Sequence, residues 1–79
     1  MNKSELINAL ADKMADKELK LARTRDALEA QKPFVEEGDL LAKETASQYE
    51  EEARTLRDEI SIIQQFIWSL ERKEFTVTV

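Results

Sequence analysis

Carboxylates are the most regularly spaced chemical groups in this chain. Glu37, Glu44, Glu51 and Asp58 recur every seven residues, and Glu50, Glu52 and Glu59 thicken the row. On a helix one heptad rises about 10 Å. Such a row on a rigid rod can imitate the phosphates of nucleic acid and occupy a basic groove on another protein. An ordinary solvated outer face has the same composition, because outer heptad positions are usually charged. The cations have a looser order. Lys13, Lys17 and Lys20 share one face of the first predicted helix, with Arg23 nearby. They can contact an anionic partner, or pair locally, as Asp16 can with Lys20 at four-residue spacing.

These groups do not make a catalytic constellation. Histidine is absent, so the commonest general base is missing. Gly38 is the single glycine, which leaves no phosphate-cradling loop. Without Cys or His, zinc sites built on those ligands and disulfide scaffolds are excluded. Carboxylate-bridged metal pairs in bundles need inward-facing Glu and His, and here the seam of the second helix is apolar and most carboxylates face out. No enzyme activity, cofactor or metal is expected.

The most apolar window is Ile60 to Leu70. Ile60, Ile63, Ile67 and Leu70 continue a seam described below, whereas Ile62, Phe66 and Trp68 lie off it. Together with Phe75 they exceed what one helical partner can bury. A large apolar patch of this kind marks an interface, with Trp and Phe as favoured anchors. Self-association is the expected use, and wrapping by the first helix and the tail is the competing one.

The elements that must position these groups follow from a seven-residue apolar row. Ile7, Met14, Leu21, Leu28, Val35, Ala42, Tyr49, Leu56, Ile63 and Leu70 are all apolar. In the second half Ala46, Ala53, Ile60 and Ile67 complete a four-three alternation, the signature of helices packed along a seam. A first helix is predicted over residues 3–31, opened by a capping box of Asn2 and Glu5. Its stripe reads Ile7, Leu10, Ala11, Met14, Leu21, Ala22 and Leu28, flanked by Leu6 and Leu19. Pro33 removes a backbone donor and biases Lys32 away from helical dihedrals. A connector is therefore predicted over 32–38, and Asp39 caps a second helix over 39–73. A single long helix kinked at Pro33 is the competing architecture. The tail, residues 74–79, alternates Phe75, Val77 and Val79 with threonines and reads as extended.

With the turn centred on Val35, facing residues sum to about 70. That register sets Leu28 against Ala42, Leu21 against Tyr49, Met14 against Leu56 and Ile7 against Ile63. The predicted fold is all-α: an antiparallel, coiled-coil-like two-helix hairpin, completed to a four-helix bundle by dimerisation.

The opening Met1-Asn-Lys-Ser-Glu-Leu-Ile-Asn-Ala-Leu-Ala-Asp12 resembles the start of bacterial histone-like proteins of the HU type. The likeness covers 12 of 79 residues. That family's Gly-rich turn and Arg-rich strand arms have no counterpart here, so no fold, activity or residue role is carried over.

Charge bounds the partners. The net charge is −5. Residues 1–32 carry seven basic and six acidic side chains, against five and eleven in residues 33–79. This balance argues against direct nucleic-acid binding. No apolar run reaches the roughly 20 residues that span a bilayer, and the charged N-terminus has no signal-peptide core. The expectation is a cytoplasmic homodimer that presents a helical surface to a protein partner of unknown identity. A nucleic-acid-mimicking inhibitor of a DNA- or RNA-handling protein, of the phage or mobile-element type, is the alternative. A DNA-binding accessory protein using the first helix is a third reading.

Overall fold

The computed structural model describes residues 2–72. Two helices, α1 (Lys3–Glu36) and α2 (Leu40–Arg72), pack against each other as an antiparallel hairpin. The result is a rod of 61 × 15 × 14 Å. The tail at 74–79, with Phe75, and the predicted helical residue Lys73 lie outside the described residues.

The start of α1 follows the sequence prediction. The Asn2 side chain accepts from the Glu5 N–H at 2.8 Å, and the Asn2 N–H donates to the Glu5 carboxylate at 3.0 Å. Two otherwise orphaned donors are satisfied reciprocally.

Its end does not. The predicted helix over 3–31 runs on through Pro33 to Glu36, and the connector shrinks to Glu37, Gly38 and Asp39. Proline inside a helix removes one hydrogen bond and crowds a carbonyl one turn back. Here that carbonyl belongs to Glu29, and both Glu29 and Pro33 are exposed, so water can take the lost bond. The inward side of the same turn continues the seam with half-buried Gln31 and Val35. Packing on the inner face outweighs a backbone defect on the outer one.

The turn is built from a few hydrogen bonds. Gly38 has φ +88°, the left-handed conformation that costs glycine nothing. It lets the Gly38 N–H donate to the Val35 carbonyl at 3.0 Å and the Asp39 N–H to the Phe34 carbonyl at 3.0 Å. This pair of bonds is the Schellman closure of a helix C-terminus. The Asp39 side chain then accepts from the N–H groups of Leu41 and Ala42, at 3.0 and 3.1 Å. Asp39 thus closes α1 with its backbone and caps α2 with its carboxylate.

Because α1 runs on, the register differs from the predicted one. Lys17 meets Glu59 and Thr24 meets Glu52. Both pairs sum to 76, which centres the hairpin on Gly38 rather than Val35. Leu21 accordingly packs with Ala53 and Leu56, with Ile60 against that cluster, in place of the expected Leu21–Tyr49 layer. Each helix has moved about three residues relative to the expected pairing. One consequence is that the first turn of α1 lies beside the last turn of α2, so Ile67 and Leu70 are buried.

All nine predicted seam positions of α2, from Ala42 to Leu70, are buried or half-buried. The seam of α1 is more polar than its stripe suggested. Its second row is Leu10, Lys17, Thr24 and Gln31, every one buried or half-buried, while Ala22 and Leu19 are exposed. Lys17 donates to the Glu59 carboxylate at 3.1 Å, with the two side chains 23% and 44% exposed. Thr24 is buried. Its hydroxyl has one proton, given to the Lys20 carbonyl at 2.8 Å, and the Glu52 carboxylate at 3.4 Å is a distant second acceptor. No buried side-chain polar atom among the described residues lacks a partner.

Candidate functional site

The predicted interface residues divide into two groups. Ile60 and Ile63 are half-buried, and Ile67 and Leu70 are buried. These four are the hairpin's own seam. Ile62, Phe66 and Trp68 stay outside it, 64%, 52% and 52% exposed. At 100° per residue Phe66 follows Ile62 by one turn on one flank of α2, whereas Trp68 projects from the opposite flank. Between them run Gln65 and Ser69. One shallow groove is lined by Ile62, Gln65, Phe66 and Ser69, and the next by Gln65, Trp68, Ser69 and Arg72. The outer face of this end is therefore two apolar strips with a polar ridge of Gln65 and Ser69 between them, closed at the C-terminal end by Arg72.

The predicted acidic face also divides. Glu44, Glu51 and Asp58 are exposed and have no ion pair or hydrogen bond among the described residues. They lie opposite the seam, spaced by one heptad. Glu52 and Glu59 do not belong to that outer row, because both reach toward α1, to Thr24 and Lys17. Glu37 is not on α2 at all. It is the C-cap of α1, and its N–H donates to the carbonyls of Pro33 and Phe34 at 3.2 Å. The outer row is thus three carboxylates, over about 20 Å.

Of the predicted cationic face, Lys17 is committed to Glu59, and Lys20 sits 3.8 Å from Asp16 at the expected four-residue spacing. Two of its three lysines therefore have partners within the chain.

Sequence reasoning missed a second apolar patch. Phe34, Leu40 and Leu41 are all exposed at the turn. Leu40 and Leu41 fall off the seven-residue row, beside the cap at Asp39. That position is where a leucine has no inward side to occupy, which is the signal that could have marked them.

No group of three metal-ligating side chains comes together among the described residues, and no described helix is long and apolar enough to cross a membrane. No known protein family, curated protein or solved structure matches this chain.

Proposed function

We propose that this chain is a non-enzymatic interaction module that works as a homodimer, two hairpins joining through the Ile62–Trp68 face of α2 into a four-helix bundle. The observation that carries this is the exposure of Ile62, Phe66 and Trp68 although α1 covers α2 along its whole length. Three large apolar side chains within two turns, backed by a satisfied seam, resemble the anchor set of a helix–helix interface. The ridge of Gln65 and Ser69 is uncharged, and the charged groups of this end, Glu71 and Arg72, lie at its rim beside Trp68. A two-helix core of this size gains stability from a second copy, since small domains bury too little surface alone.

Sedimentation equilibrium tests the reading. The wild-type chain should dimerise, and Phe66→Ala or Trp68→Ala should weaken the dimer by about 2 kcal/mol if each is an anchor, roughly 30-fold in Kd. A monomer at every practical concentration removes the proposal. A dimer indifferent to both substitutions relocates the interface to the turn patch.

A second reading is favoured by Glu44, Glu51 and Asp58, which stand exposed in one line without a partner among the described residues. It makes the chain an acidic mimic of nucleic acid that occupies a basic cleft on a DNA- or RNA-handling protein. Binding in that case falls steeply with salt, whereas the apolar dimer is nearly indifferent to it.

A further inference from the structure

The flank of the seam away from the Lys17–Glu59 pair holds a cleft of about 400 Å³, lined by Arg25 and Leu28 from α1 and by Glu50, Ala53, Arg54 and Arg57 from α2. We infer that this cleft is a binding site for a compact dianion of the phosphate or phosphomonoester class, held by Arg25, Arg54 and Arg57. Three arginines from two helices line it together with one carboxylate, in a chain whose net charge is −5. None of the four charged groups has an ion-pair partner among the described residues.

The local sequence offers little to neutralise Arg57 and Arg25, whereas Arg54 has Glu50, Glu51 and Asp58 at three- and four-residue spacing. On a helix Arg57 faces Ala53, Arg54, Ile60 and Ser61 at three- and four-residue spacing, with no acid among them and a like charge as one neighbour. For Arg25 the corresponding acid is Glu29, which pairs with Lys32 at 3.4 Å. The hairpin register brings Arg25 to the two α2 arginines, so the cluster exists only in the folded chain.

Charge and shape select the ligand. The lining itself holds three cations and one anion, with Glu51 and Asp58 a turn away from Arg54 on the outer side of α2. A phosphomonoester carries about −1.5 to −2 at neutral pH. Guanidinium forks match tetrahedral oxyanions through paired N–H donors, better than lysines would. The floor of half-buried Leu28 and buried Ala53 lowers the local dielectric, which strengthens those contacts. A long polyanion is disfavoured, because along α2 it would meet Glu44, Glu51 and Asp58.

Arginine Nε–Hε NMR signals, followed while inorganic phosphate replaces chloride at constant ionic strength, test the site. Saturable shifts are expected at Arg25, Arg54 and Arg57, stronger at pH 8 than at pH 6 as phosphate becomes dianionic. Arg57→Gln and Arg25→Gln should each weaken binding about tenfold, and Lys13→Gln should leave it unchanged. Far-UV circular dichroism checks that each variant is folded, and the two arginine variants act independently. A parallel titration with O-phosphoserine separates the sources: tighter binding than inorganic phosphate supports an ester ligand, and weaker binding supports the free ion. Equal shifts in chloride alone, or phosphate shifts that survive both arginine substitutions, overturn the assignment.

Discussion

Replacing Leu56 by alanine tests the register most directly. Leu56 is 7% exposed and forms the core cluster with Leu21 and Ala53. The change removes three carbons, worth about 0.8 kcal/mol per methylene, or about 2.4 kcal/mol before any cavity term. Buried Leu→Ala changes span about 2–5 kcal/mol, the upper values where the cavity cannot collapse. No described side chain here is fully buried. A two-helix seam open at both flanks can relax or admit water, which places the expected loss near 2–3 kcal/mol. Total stability for a chain of this length is about 4–12 kcal/mol. At about 4–8 °C per kcal/mol, the midpoint should fall by about 10–20 °C. Urea and thermal melts by far-UV circular dichroism, at two protein concentrations, measure this. Thr55→Ala, one residue away and exposed, is the control and should change stability by less than about 0.5 kcal/mol. A Leu56→Ala loss below about 1 kcal/mol, or one matched by Thr55→Ala, refutes the packing described for this layer.

Gly38→Ala should cost about 1–2 kcal/mol from the left-handed backbone alone, since a methyl group there meets nothing within 4 Å; a neutral melt would show the turn to be built differently. Asp39→Ala removes the acceptor for two α2 N–H groups and should cost about 0.5–2 kcal/mol, read in the same melts. Lys17→Met should be neutral or mildly stabilising, because Glu59 is 44% exposed and can be rehydrated once its partner is gone; a loss above about 2 kcal/mol would mean the ion pair holds the hairpin together. Reversing Glu44, Glu51 and Asp58 to Lys changes the net charge from −5 to +1 and should leave the melt nearly unchanged. If the chain is a nucleic-acid mimic the same variant loses partner capture, and unchanged capture eliminates that reading.

The α2 seam was legible because all nine of its positions are apolar and evenly spaced. The capping box at Asn2 and the helix start at Asp39 were legible because their side-chain chemistry is local. The end of α1 was not. Pro33 has a local cost that sequence rules register, while the compensating burial of Gln31 and Val35 depends on packing against α2 across the turn. From that one boundary the register error follows; Glu52 and Glu59 were misplaced for a separate reason, since they border the seam of α2 and reach across it to Thr24 and Lys17. The second row of α1 was hidden for a different reason: three of its four members, Lys17, Thr24 and Gln31, are polar. A search restricted to apolar residues passes over a seam whose polar positions are matched across it. The exposed aromatics were anticipated as a group, but their split between two flanks needs the helical angle as well as the spacing.

The three-residue connector also explains where the chain places its bulk. Near the turn the two helices are held together by the covalent chain, so the local effective concentration of one for the other is high. There the α2 seam is mostly small, Ala42, Ala46 and Ala53, with Tyr49 its one large member. At the open end, some 30 residues along each helix from the tether, the chain itself contributes little to keeping the strands of the rod closed. There the seam uses Ile60, Ile63, Ile67 and Leu70. The unbroken run of large side chains thus lies where the tether is weakest, which counters fraying from the open end of the rod.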